Sequence, residues 1–292
     1  MKSHQLTQWV AHILFIAVTI GCLFPFLLLI MTSITDENTL LQKGYSIFPS
    51  KISLDAYAYL WRDSSAIVRA YAITIFVTLV GTVAGLLITA LLAYPLSRKD
   101  MPARNPLAFI VFFTMLFNGG LVPTYLVYTQ LFDMKNTLLA LILPGLLTNG
   151  FFILLMRTFF GTSIPTPIIE SASMDGAGEF RIFYRIILPL SLPILATVGL
   201  MQTIMYWNDW YNGLIYITDS KLFSLQNLLN RILMNAQFLQ SNSVGNQNVG
   251  TSIPTETVRM AMAVIGVVPL LCAYPFFQKY FVKGLVIGAI KG

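Results

Sequence analysis

The chain has 292 residues, of which 56% are hydrophobic and only 10% charged. A soluble globular protein carries about 25% charged residues, so this composition excludes a water-soluble enzyme or binding module and points to an integral membrane protein. The net charge of +6 comes without a basic, aromatic-interleaved patch, which argues against nucleic-acid binding. A one-sided Lys/Arg bias across a membrane accounts for it better.

Lys2 precedes an apolar stretch over 10–31. That is longer than the ~7–15 residues of a signal-peptide core, and no small-x-small cleavage site follows. It is read as a first membrane helix that is retained. Further apolar stretches follow, giving spans at about 9–33, 71–96, 106–128, 138–160, 190–207 and 258–280. Most meet the ~20 residues a helix needs to cross. Their Leu, Ile and Phe content favours helices over the short alternating strands of a barrel. The fold class is therefore all-α, with six transmembrane helices in one domain over 1–292.

The short basic segment SRKDMPAR after the second span is the strongest local signal of orientation. It places both termini and the loop after the fourth span, 161–189, in the cytoplasm, and the loop over 208–257 outside. The two cysteines, Cys22 and Cys272, lie in apolar stretches, with neither disulfide nor metal spacing.

Within the spans, Asn118-Gly119-Gly120 with Pro123 interrupts the third, and Pro144-Gly145 and Asn149-Gly150 interrupt the fourth. Such breaks are tolerated at membrane depth where protein or a water-filled cavity covers them, and simple kinking for packing is the competing reading at each. Gly81 and Gly85 form a GxxxG, explained by close helix packing. No Asp, Glu, Lys, Arg or His lies deep in a span except His12, near the start of the first. Ion-coupled carriers need such groups, which argues against the alternative of a stand-alone secondary carrier or channel. There is no Gly-Lys-Ser/Thr, hence no P-loop.

The cytoplasmic loop carries the sharpest pattern. ESASMDGAGEFRIFYRIILPLSLP, from Glu170 to Pro193, keeps charges of both signs between two apolar runs. Thr166-Pro167 suits a helix start, and Gly176 and Gly178 mark a turn. A second helix from about Glu179 places Phe180, Phe183 and Ile187 on one side. Pro189 and Pro193 shape the approach to the fifth span. The outer end of that span, MYWNDWYNGLIY, interleaves Tyr206, Trp207, Trp210 and Tyr211 with Asn208, Asp209 and Asn212. Such rings belong to an interfacial belt, or, with Asn118 and Asn149, to a path for a sugar whose CH faces stack and whose hydroxyls pair. The uncharged stretch 237–252 reads as a flexible loop.

The spacing of Glu170, Ala172, Gly176, Ile186, Leu188 and Pro189 resembles the "EAA" loop of permease subunits in bacterial ATP-driven importers. The C-terminal FVKGLVIGAIKG resembles the tail of the maltose-type permease, and YPLSRKDMPAR and FNGGLVPTY resemble the carbohydrate branch with the LplC-type proteins. Together the match covers about 70–292. Ser171 stands where that loop usually has Ala, and Ile169 and Ser173 occupy positions often charged in related permeases. The resemblance implies a type I importer permease fold and no catalytic residues, metal or cofactor in this chain, ATP and Mg belonging to ATPase subunits. It implies a second permease subunit, two ATP-binding subunits and an extracytoplasmic solute-binding protein as partners. ATPase coupling falls on Glu170, Ala172, Asp175, Gly176, Ala177, Leu188 and Pro189, and on the tail residues Lys291 and Gly292. The implied cargo is an oligosaccharide or polysaccharide fragment, crossing the bacterial inner membrane.

Overall fold

The computed structural model describes residues 2–62, 64–243 and 255–289. These are helical in the order α1 (Lys2–Ser33), α2 (Glu37–Lys43), α3 (Asp55–Trp61), α4 (Ser64–Ser97), α5 (Arg104–Leu116), α6 (Leu121–Leu126), α7 (Leu139–Ile142) and α8 (Gly150–Ser163). They continue through α9 (Thr166–Met174), α10 (Glu179–Ile182), α11 (Leu188–Leu190), α12 (Leu192–Trp207), α13 (Tyr211–Tyr216), α14 (Leu225–Ser243) and α15 (Thr255–Ala289). Two stretches, Val127–Leu131 after α6 and Phe183–Ile187 between α10 and α11, are wound as π-turns. Among the described residues no strand forms; the nearest approach is a single antiparallel bridge, Thr35 to Ile52.

The expected spans differ in how straight they are. The segments Gln8–Ser33 and Ser64–Ser97 are continuous and apolar enough to cross a bilayer. The third expected span is instead two helices, bent by 112° between Arg104–Leu116 and Leu121–Leu131. The cause is local: Gly120 takes φ +84, Asn118 Oδ1 accepts from Gly120 N at 2.9 Å, and Pro123 supplies no N–H. The fourth is also divided. Gly145 at φ +71 follows Pro144 and ends α7, and α8 restarts at Gly150 with Asn149 Oδ1 capping Phe151 N at 2.9 Å. The helix running Glu179–Leu190 turns by 80° at Ser191 into α12. The last expected span lies within the 35-residue α15. The flexible reading of 237–252 is corrected as far as Ser243, which α14 includes; 244–252 lies outside the described residues.

The chain forms two compact units. One comprises Met1–Ile67 and Leu229–Pro269. In it α1 presents exposed apolar side chains along its length, Trp9, Ile13 and Ile20 among them, as a helix solvated by lipid does. Glu37, in the first turn of α2, accepts from Glu256 N at 3.0 Å, Thr257 N at 2.9 Å and Thr257 Oγ1 at 2.6 Å. Those N–H groups are unpaired donors of the first turn of α15, so one carboxylate closes that helix end. The other unit comprises Val68–Leu228 and Leu270–Gly292 and holds both candidate sites. There the GxxxG of α4 meets α12. A Cβ on Gly81 would lie 2.4 Å from the Tyr206 ring, and one on Gly85 would lie 2.7 Å from Gln202 Nε2. Gly81 and Gly85 are four apart, and so are Gln202 and Tyr206, which gives antiparallel knobs in adjacent hollows.

Candidate functional site

The loop over 161–189 folds as an elbow, and its sequence explains the shape. Pro167 sits in the first turn of α9, where its missing N–H leaves no bond unmade. At the other end Gly176 takes φ +77, and Ala177 N donates to Ala172 O at 3.0 Å. This is a Schellman closure, with glycine at the left-handed position and a bond reaching back across the last turn. The apolar contact that accompanies such a closure is present too: Ala172 and Ala177 both pack on the same buried cluster. Ala172, Asp175, Gly176 and Ala177 are thus brought together as one turn. Glu170 lies one turn back on α9, exposed.

The inner side of the elbow is Ile169, Ile182, Phe183 and Ile187, buried against Tyr94 and Leu96 of α4 and Met156 and Phe160 of α8. Leu188 is partly buried against this cluster, and Pro189 is exposed. Phe180 departs from the face predicted for it: it is 80% exposed, whereas Ile182 is fully buried. The buried face at the end of α10 centres on Ile182 and Phe183, and a π-turn begins there. Leu188 N donates to Phe183 O, five residues back, and this wider turn sets Ile187 on the same inward side as Ile182 and Phe183. The outer side is left apolar, with Met174 at 84% and Tyr184 at 65% exposure.

Three residues absent from the sequence prediction complete the elbow. Tyr94 Oη donates to Glu179 Oε2 at 2.6 Å, and Arg98 Nη2 lies 3.4 Å from Glu179 Oε1. Arg98 also grips Asp100 through Nε and Nη2, at 3.0 and 2.9 Å. These bonds from Arg98 hold the Asp100 carboxyl below the usual carboxylate range. Nothing in the sequence pairs Glu179 with residues some eighty positions earlier.

The second site is a cleft of about 450 Å³, lined by Asn118, Gly120, Leu121, Thr124, Pro144, Gly145, Leu146, Asp209, Tyr211, Asn212 and Tyr216. The breaks at 118–120, 144–145 and 208–210 converge there, which is where irregular backbone belongs in a membrane protein. Asp209 Oδ1 accepts from Tyr211 N and Asn212 N, both at 3.2 Å, and Asn212 Nδ2 donates to Pro144 O at 3.0 Å. Burial raises the Asp209 pKa, and the backbone N–H groups pull it the other way. The cleft offers amide, carboxylate and phenol groups beside ring faces, a set suited to hydroxyl-rich solutes.

Residues 102–287, well over half of the chain, match the family described as binding-protein-dependent transport system inner membrane component. The chain belongs to that family. The permease is 37% identical over 93% of its length to the polygalacturonan/rhamnogalacturonan transport system permease protein YtcP of Bacillus subtilis, covering 93% of that protein. It is 39% identical over 97% of its length to protein LplC of Bacillus subtilis, covering 94% of it. Its fold matches a chain of a bacterial ABC transporter involved in the import of the acidic polysaccharide alginate. That match has a TM-score of 0.79 at 29% identity, over 96% of this chain and 98% of the other. This chain is therefore a membrane permease subunit of an ABC importer with the type I permease fold, working with ATPase and solute-binding partners. As a transport subunit it is not itself an enzyme.

Of the residues predicted for a substrate path, the permease brings only Asn118 and Asp209 to the cleft. Tyr206 and Trp207 are buried, at 3% and 6% exposure. Tyr206 donates to Ile142 O at 3.0 Å and fills the hollow over Gly81, so in this conformation both rings pack the interior rather than face a solute. Asn208 and Trp210 are exposed beside the cleft, and Asn149 serves as the α8 cap. Thr124, from the FNGGLVPTY stretch, and Tyr211 and Tyr216, from the aromatic stretch at the outer end of the fifth span, line the cleft as well. Lys291 and Gly292 lie outside the described residues.

Proposed function

We propose that this permease forms half of a translocation path for an oligosaccharide or polysaccharide fragment and is driven through its Glu170–Pro189 elbow. A second, non-identical permease subunit supplies the other half. Two ATPase subunits bind ATP and Mg and hold the elbows, and the chain's two termini face the cytoplasm. ATP binding closes the ATPase pair, the elbows move with it, and the bundle turns from inward to outward opening to receive cargo from the binding protein. The observation that carries the reading is the two-sidedness of the elbow. Its inner side is anchored in the core, while Met174, one turn from Glu170 on α9, and Phe180 on α10 stand 84% and 80% exposed. An apolar pair left outward on a rigid turn is a surface for a partner's cleft. The carbohydrate cargo is supported by the named substrates of YtcP and of the alginate importer and by the hydroxyl-binding character of the outer cleft.

The test is copurification of the ATPase subunits with tagged permease. Met174→Asp leaves the chain's own packing intact, because Met174 touches little of it, and is expected to release the ATPase. Undiminished ATPase recovery with this variant would overturn the docking reading.

A further inference from the structure

The elbow is bonded sideways to a helix that it does not continue into. Its covalent continuation passes through Ser191, where the chain bends by 80°, into α12. Its lateral tie runs from Glu179 to the inner end of α4. Each carboxylate oxygen meets a different residue there, Tyr94 Oη at 2.6 Å and Arg98 Nη2 at 3.4 Å. The Tyr94 ring also lies against Phe183, with centroids 5.4 Å apart. The same end of α4 is braced from two other helices. Leu96 O accepts from Arg104 Nε at the start of α5 and from Arg157 Nε of α8, both at 3.1 Å.

We infer that Glu179, Tyr94 and Arg98 are positioning residues forming a joint that makes the inner end of the second span travel with the elbow. This rests on the elbow being the ATPase docking piece. Apolar contact is non-directional, so the buried cluster anchors the elbow without by itself fixing the direction in which the elbow pulls. A short charge-assisted bond is directional, and a carboxylate held at both oxygens resists rotation as well as separation. The two bonds are unequal. The Arg98 pairing is long, and Glu179 is 60% exposed, so it adds little. The Tyr94 bond carries the joint, and Arg98, gripped by Asp100, is a weaker second contact on the other carboxylate oxygen. ATP-driven movement of the elbow then reaches α12 through the chain and α4 through this joint.

The experiment uses the assembled importer in nanodiscs, with Cys22→Ala and Cys272→Ala and nitroxide labels at Leu92→Cys on α4 and Arg181→Cys on α10. Inter-label distances are measured without nucleotide and after trapping with ATP, Mg and vanadate. In this parent the distance is expected to hold between the two states. With Tyr94→Phe or Glu179→Ala it is expected to shift by about 2 Å or more, and the double variant is expected to shift no further than either single one, as for two ends of one bond. A distance that changes in the parent, or that holds equally in the variants, overturns the joint. Loss of ATPase from the variants alone makes Glu179 part of the docking surface and also overturns it. By contrast, Met174→Asp importer that retains its ATPase, with the joint variants behaving as expected, overturns the docking surface and leaves the joint standing.

Discussion

Gly176 separates two reasons for which a glycine is needed at a turn. Nothing lies within 4 Å of where its Cβ would be, so in the permease alone a larger side chain has room. The cost of replacing it is conformational. At φ +77 an L-residue loses about 1–2 kcal/mol relative to glycine. That is about 5–30-fold in the equilibrium of the closed turn. The cost is set at the backbone, so Gly176→Ala and Gly176→Leu should destabilise the purified permease equally, and Gly176→Asn less, since Asn tolerates this conformation. Affinity for the ATPase should rank differently. On the proposed docking the ATPase fills the space that is open over Gly176 here, so Gly176→Leu should bind at least about tenfold more weakly than Gly176→Ala, or 1.4 kcal/mol. Thermal melts of the permease and titration of the ATPase onto permease nanodiscs read the two separately. A melt for the Leu variant far below that of the Ala variant would show that the turn is not open. Equal ATPase affinity for the two would show that no partner covers it.

Gly81→Ala puts a methyl into the Tyr206 ring and should cost about 1–3 kcal/mol by overpacking, with a further loss if the Tyr206 bond to Ile142 O is broken; restoration of the melt by Gly81→Ala with Tyr206→Leu would confirm the pairing, and strictly additive losses would refute it. Glu37→Ala strips three accepted bonds from the start of α15 and should cost about 1–3 kcal/mol, measured as a lower melt and faster amide exchange over the first turn of that helix, with unchanged exchange counting against the cap.

The elbow was legible because its signals are local. A proline that starts a helix and a glycine that ends it act within a turn of themselves, and a Schellman closure involves only six consecutive residues. The outer cleft was half legible. Asn118 and Pro144 each announced a break in an apolar run, open to a packing kink or a cavity wall, and Asp209 stood in a span end open to an interfacial belt or a solute path. Only their convergence on one volume distinguishes the two, and convergence depends on how α6, α7 and α13 are brought together, which no window of sequence contains. The error at Phe180 is of another kind. The expected face ran through Phe180, Phe183 and Ile187, whereas the buried face runs through Ile182, Phe183 and Ile187, because the packing of α10 on α4 and α8 sets which arc of a short helix turns inward. Tyr206 shows the opposite failure: an aromatic at a span end was read as facing lipid or solute, but a glycine on a distant helix had made room for it. The joint at Glu179 was invisible for the plainest reason. Charged residues beside a membrane span are ordinary, and the fact that matters, a 2.6 Å bond across 85 residues, is a property of the packed inner ends of α4 and α10. A permease that takes its energy from outside itself needs both classes of feature. On the proposed reading the docking turn can be written in a short motif because it is presented to a partner as a fixed shape. The ties that spread its motion must reach across the bundle, and so belong to tertiary structure.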